Sequence, residues 1–198
     1  MSADTPLRID VAAEQSPQNR PSAFIRLLGR VERSKALDPV VRGVEPLAGR
    51  IVANERVRRV LHGEATGIPL HIIYTDVPLG AWWMAQFLDL FPDDGMRRAA
   101  TRLVGLGVVA AVPTALTGWA EWARADRGAR RVGVVHATAN AVGTLVFMGS
   151  WAARSRSRHD LGIWLGRLGG VVLLVGALCG GYMRSDRQAV PDPGRVSC

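Results

Sequence analysis

Four long apolar stretches separated by short charged loops dominate the second two-thirds of the chain. The first runs from Ile68 to Phe91, IPLHIIYTDVPLGAWWMAQFLDLF, and the second from Ala99 to Ala120, with no charge between Leu103 and Ala120. The third, Val132 to Ala153, has no Asp, Glu, Lys or Arg, and the fourth, Leu161 to Met183, has only Arg167. A hydrocarbon core of about 30 Å takes about 20 helical residues, and each stretch supplies them. The pattern predicts an all-α fold: a four-transmembrane-helix bundle over residues 67–184, with spans at 68–91, 99–120, 132–153 and 161–183. Four such runs exceed what the core helices of a water-soluble domain of this length need.

The part before the first span reads differently. Residues 1–36 form a lead, disordered over its Pro-containing polar first 21 residues. In SAFIRLLGRVER, Phe24, Ile25, Leu27, Leu28 and Val31 fall at helical spacing between arginines, the pattern of a short interfacial helix. Residues 37–66 predict a second amphipathic region, helical from Asp38 to His62 with an interruption at Pro46, lying along the membrane surface. Neither piece is long enough to bury a sizeable core. Residues 185–198 read as a disordered tail, and no internal repeat is evident. The lead shows no apolar signal-peptide region, so the first span is expected to serve as its own insertion signal.

Composition and charge then set the orientation. The mean hydropathy is only +0.10 because polar lead and apolar spans are averaged together. There are 24 arginines against one lysine, Lys35, and the Arg-, Ala-, Gly- and Val-rich usage suggests a bacterium with a GC-rich genome. Arg50, Arg56, Arg58 and Arg59 precede span one, Arg124, Arg127, Arg130 and Arg131 fill the second loop, and Arg184, Arg187 and Arg195 follow span four. The opposite side offers Arg97 and Arg98, balanced by Asp93 and Asp94, and the loop arginines Arg154, Arg156 and Arg158. The positive-inside rule therefore predicts a multi-pass protein of the bacterial cytoplasmic (inner) membrane with both termini cytoplasmic. The net charge of +8 is accounted for by topology and anionic lipid rather than nucleic acid, because the arginines are dispersed between spans without a reader motif.

Aromatic residues mark the boundaries: Trp119 and Trp122, Trp151 and Trp164 fall at span ends as anchors, whereas Trp82 and Trp83 lie deeper, as packing residues. Gly162, Gly166 and Gly170, with Gly176 and Gly180, give span four a small-residue face for close helix contact, within the chain or in a homo-oligomer. Cys179 and Cys198 build neither a disulfide framework nor an iron–sulfur or zinc spacing.

Ionisable residues inside spans are costly and therefore candidates for a site. His71 and His136 sit a few residues inside the first and third spans, which run in the same direction, so they share a leaflet roughly 5 to 6 Å into the core. Glu121 closes span two and Tyr182 closes span four on that side, while Asn140 follows His136 by one turn. Asp76, five residues beyond His71, is turned about 140° from it and costs about 2.5 to 3.5 kcal/mol unless bonded, neutral or wet. Asp89 lies close to the far interface and is given no special role.

The runs LHGEATGIPLHIIYTDVPLGAWWMAQFLDL, LTGWAEW, RRVGVVHATAN and GGYM, in that order, resemble the bacterial membrane family catalogued as domain of unknown function 2231, over Leu37 to Met183. The resemblance implies a four-helix membrane protein of no established activity. Some members of that family are joined to a Rieske-type iron–sulfur domain, which implies a membrane redox partner by association. This chain has Ile68 where members often have histidine, Ile72 where they have proline, and Arg184, Ser185 and Asp186 in place of a glycine-glycine-histidine element. His71 and His136 match the family pattern.

Three readings follow. In the first, His71, Glu121, His136 and Asn140 satisfy one another and, with Asp76 and Tyr182, form a buried polar cluster near the cytoplasmic side that fixes helix register in a structural or accessory protein of a membrane complex. In the second, His71 and His136 are axial ligands of a b-type haem in an electron-transfer protein. In the third, Asp76 and the histidines line a proton or small-solute pathway, which with four spans requires an oligomer. No nucleophile elbow, metalloprotease motif or phosphate loop is present, so an enzyme is not expected.

Overall fold

The computed structural model describes residues 22–65, 67–91 and 93–189, with side chains to 183. The fold is helical: α1 (Ala23–Arg33), α2 (Asp38–Ile51), α3 (Glu55–Leu61), α4 (Leu70–Leu88), α5 (Asp94–Ala123), α6 (Arg127–Ser155) and α7 (His159–Ala189), with a single 3₁₀ turn at Lys35–Leu37. The predicted disordered segment 1–21 lies outside the described residues, and α7 continues past the predicted boundary at 184.

Helix starts follow from capping side chains. Ser22, Asn54, Asp93 and Asp126 each accept backbone N–H groups from the first turn of α1, α3, α5 and α6. The predicted interruption at Pro46 is not where the helix breaks. Pro46 is exposed, so the carbonyl it leaves unbonded faces outward, and α2 continues to Ile51 before Asn54 starts α3. Gly63, at φ 68°, takes the left-handed conformation that ends α3, with its own N–H bonded to Val60 O at 2.9 Å.

Among the described residues three helices are long and apolar enough to cross a membrane: α5, α6 and α7 as far as Met183, with mean hydropathies of 1.7, 1.4 and 1.9 over their best windows. The first predicted span, 68–91, corrects to a helix of 19 residues that falls short of that apolarity, because α4 carries His71, Asp76 and Gln86 along its length. It packs as a fourth bundle member all the same. α4 and α5 form one tight antiparallel hairpin, α6 and α7 a second, and the two hairpins meet through fewer contacts, α5 on α6 and α4 on α7.

The diagonal pair α4 and α6 runs parallel, and its side chains meet in three layers. The His71 and His136 rings face each other at one end, Trp82 stacks on Phe147 in the middle at 4.4 Å, and Asp89 pairs with Arg154 at the other end. Each pair is separated by 65 residues. About three turns and then about two turns separate successive layers along both helices. A second constant step relates α5 to α7: Gly107 packs on Trp82 as Gly169 packs on Phe147, and Gly118 on His71 as Gly180 on His136. The two hairpins are therefore structural repeats about a pseudo-two-fold axis down the bundle, a repeat the sequence reading missed.

The lead folds back over the histidine end. Leu28 of α1 is buried with Val132 and Cys179, and Val41 and Ala48 of α2 are buried with Trp122 and Val134. Arg131 clasps Asp38 through two bonds of 2.7 and 3.1 Å and reaches Glu32 O at 2.8 Å, while Arg130 bonds Glu45 at 2.7 Å. The helices α1 and α2 thus cap the bundle.

Candidate functional site

The site begins with what each imidazole does with its proton. His71 Nδ1 lies 3.1 Å from Thr114 O on α5, and His136 Nδ1 lies 2.8 Å from Gly176 O on α7. A carbonyl only accepts, so Nδ1 carries the hydrogen in both rings and Nε2 carries the lone pair. Thr117 Oγ1, whose own proton goes to Thr114 O at 2.8 Å, adds a second acceptor 3.3 Å from His71 Nδ1. Thr114 and Gly176 are equivalent positions of the two hairpins, so both histidines are oriented by the same bond to the same backbone position.

Glycines make room for the rings. A Cβ on Gly118 would stand 3.0 Å from His71 Cε1, and one on Gly180 would stand 3.1 Å from His136 Cε1. Each is tighter than an ordinary contact, so the rings occupy space that a larger residue would take. The rings project from opposite hairpins toward the plane between them, with centroids 6.4 Å apart and planes at 83°. Both remain partly accessible despite their inward position, where the two hairpins are less closely packed.

The remaining predicted site residues separate into those that join this pair and those that do not. Asn140 joins it, with Nδ2 3.0 Å from His136 Nε2. Glu121 instead bonds Arg124 at 2.9 Å through Oε2, and its Oε1 is buried with no hydrogen-bond partner among the described residues. The Tyr182 hydroxyl donates to Glu32 Oε2 of α1 at 2.7 Å, tying α7 to the cap. Asp76 is exposed on the outer face of α4 between Ile73 and Val77, away from the histidines. His62, not singled out from the sequence, donates from Nε2 to Ala120 O at 3.1 Å and fastens the end of α3 to α5.

At the opposite end the structure assigns Asp89 a role the sequence reading denied it. Its carboxylate takes two bonds from Arg154, 2.7 Å from Nη1 and 2.6 Å from Nη2, and the two side chains are 4% and 1% exposed. Arg154 Nε also donates to Ser150 Oγ at 3.2 Å, and Ser150 passes its own proton to Gly162 O. Arg154 therefore belongs to the bundle interior and not to the exposed loop charge. The signal was available in the sequence only as opposite charges 65 residues apart at the ends of two parallel spans.

Among the described residues no group of three or more His, Cys, Asp or Glu side chains converges as a metal site. Two imidazoles are too few for a bare ion that takes four protein ligands, but they suffice for a metal whose remaining positions a macrocycle fills. Two metal–nitrogen bonds of about 2 Å, plus about 1 Å from each nitrogen to its ring centre, put the centroids about 6 Å apart. The observed centroids, 6.4 Å apart, are near that separation, so the two imidazoles are a donor pair of the kind a bis-imidazole haem takes. No family model, no curated protein and no solved structure matches the chain.

Proposed function

We propose that the chain is a four-span protein of a bacterial cytoplasmic membrane, with both termini on the cytoplasmic side, that binds b-type haem between its two hairpins. His71 and His136 are the axial ligands. The observation that carries this reading is the matched pair: each Nδ1–H is spent on the equivalent carbonyl of its own hairpin, and each ring edge rests on a glycine. Ligand histidines are held in this way, by an outer partner on the ring nitrogen the metal does not use. The bound group would supply one-electron transfer between ferric and ferrous iron, and the chain's part is to orient the two donors. With only Cys179 and Cys198 in the chain there is no cysteine pair for covalent attachment, hence the b type. The resemblance to a family with Rieske-linked members is in keeping with a membrane redox partner.

The inclusion of α4 as a fourth span rests on its position in the bundle. Its inward-facing polar groups are matched, His71 to Thr114 and Asp89 to Arg154, so the protein meets the cost of those two, while Asp76 stands on the outer face.

Protein purified in mild detergent from haem-replete cells is expected to show a Soret band and the low-spin visible bands of bis-imidazole haem. His71→Ala and His136→Ala should each abolish the low-spin spectrum, and the double variant should lose the pigment. The Asn140–His136 bond favours a second reading, in which the cluster is a structural lock. A folded, colourless protein whose histidine variants melt lower and change no spectrum would establish that reading instead.

A further inference from the structure

The outer face of α4 differs from the face that the pseudo-two-fold relation makes its counterpart. Ile73, Asp76, Gly80, Trp83 and Phe87 recur at alternating steps of three and four residues, and all are exposed, so they form one line along the outside of the helix. The 65-residue step puts Ala141 and Leu145 of α6 where α4 has Asp76 and Gly80, and both are exposed as their counterparts are. Lipid takes apolar side chains of that kind, and an acid only at a cost. Asp76 stands six residues beyond Leu70, about 9 Å along the helix, and makes no hydrogen bond or ion pair among the described residues. Exposed arginines such as Arg102 and Arg167 carry their charge toward the interface on long side chains, which the short aspartate does not. An added Cβ at Gly80 would meet nothing within 4 Å, whereas the packing glycines of α7, from Gly162 to Gly180, lie against α4 or α6 of the same chain.

We propose that this line is the seam of a parallel two-fold dimer, in which α4 packs on α4 of a second copy of the chain. The inference rests on the reading of α4 as a membrane span and is independent of the haem. A second copy is the occupant the face itself selects. Steps of three and four residues on both helices bring each position beside its own counterpart in a parallel pair, so the two Asp76 carboxyls meet at the axis at equal depth. There, as acids, they donate O–H to one another, a bond that lipid tails do not offer. Gly80, one turn further on, lets the two backbones close at the centre of the seam. Trp83 and Phe87 continue the contact. A different helix would need its own polar group at that depth and a small residue one turn away, and the second copy has both. The matching face of α6, with Ala141 and Leu145, has neither, so the assembly closes at two chains.

Cross-linking in isolated membranes tests the seam, in the full chain carrying Cys198→Ser so that the remaining native thiol, Cys179, is a buried one. Under mild oxidation Ile73→Cys is expected to give a disulfide-linked dimer. Thr138→Cys, the equivalent exposed position on α6, should not. Adding Asp76→Ala and Gly80→Leu to Ile73→Cys copies the α6 surface onto α4, and should lower the initial yield about three- to thirtyfold, the worth of one interhelical hydrogen bond in a bilayer. Asp76→Asn, which still bonds its own copy, should retain the yield. No dimer from Ile73→Cys, equal yields from Ile73→Cys and Thr138→Cys, a cross-link to a different protein, or an undiminished yield in the combined variant would each overturn the seam. Glu64→Cys and Asp94→Cys, before and after α4, separate this from the span itself: a membrane-impermeant maleimide should label them from opposite faces of sealed vesicles. Labelling from one face overturns the span and the dimer with it, whereas opposite faces without a dimer overturn the dimer alone.

Discussion

Arg154 is the side chain this bundle can least tolerate unpaired. It is 1% exposed, and among the described residues its charge is met by Asp89 alone, with Ser150 as a further acceptor. Removing one member of a buried pair leaves an uncompensated charge and costs about 3–5 kcal/mol, whereas replacing both with apolar residues of similar volume is often neutral. Asp89→Ala is therefore expected to lower stability by about that amount in a denaturation series in mild detergent, and Asp89→Leu combined with Arg154→Met to recover most of it. An Asp89→Ala protein as stable as wild type would refute the role given to the pair. Read from sequence, Arg154 is one of three loop arginines and Asp89 an interfacial acid. Their partnership depends on the parallel register of α4 and α6, which no local pattern encodes. The histidines were legible for the opposite reason. An imidazole inside an apolar stretch stands out by itself, and counting spans puts His71 and His136 in one leaflet without any register.

At the scale of elements, the two hairpins are one design carried out with different residues. The aromatic at the centre of each packs on a glycine of the returning helix, Trp82 on Gly107 and Phe147 on Gly169. A Cβ on Gly107 would collide with the Trp82 indole, whose Nε1–H donates to Val104 O at 3.2 Å, and a Cβ on Gly169 would lie 2.9 Å from the Phe147 ring. Overpacking of this kind costs about 1–3 kcal/mol, so Gly107→Ala and Gly169→Ala should destabilise to similar extents in the same assay. Gly43 and Gly49 in α2 have nothing within 4 Å of an added Cβ, and alanine there should stabilise by about 0.5–1 kcal/mol. Equal behaviour of all four variants would contradict the packing described. The helices themselves were readable, since apolar length and capping residues are local properties. The repeat was not, because little beyond His71 and His136, and the glycines that serve them, is kept between hairpins, and the steps from α4 to α6 and from α5 to α7 differ. The apolarity of α4 was overread for a related reason. Of the polar residues that lower it, His71 and Gln86 are half-buried against other helices and Asp76 is exposed, and a sequence does not show which face of a helix is covered.

Seen as a whole, the molecule closes one end with its own N-terminal helices, and that end is the one that holds the histidines. The closure is electrostatic at its centre: Asp38 and Arg131 form a paired contact at 2.7 and 3.1 Å, flanked by Arg130 with Glu45 and by Tyr182 with Glu32. The hydrogen bond from Arg131, followed by the charges of Arg131, Arg42 and Arg127, holds the Asp38 carboxyl below its ordinary value, against the opposing effect of burial. A carboxyl lowered on folding binds its proton less readily in the closed state than in the open one. Its contribution to closure is therefore full above its unfolded value, about 3.9, and is lost as pH falls through the lower value of the docked state. The cap should accordingly stay closed from neutral pH down to about 4, because nothing in the Asp38 pair titrates in that window, and should loosen below it. Asp38→Asn, which cannot carry the charge, should show the loosened cap already at neutral pH. Hydrogen exchange over α1 and α2 is the direct measurement, with wild-type protection constant between pH 7 and about 4.5 after correction for the intrinsic rate, and the variant less protected throughout. Since Arg131 lies in the second turn of the helix that carries His136, the same experiment reports whether the cap also steadies the site: exchange at α6 amides near His136 should rise in Asp38→Asn, and unchanged exchange there would confine the effect to the cap.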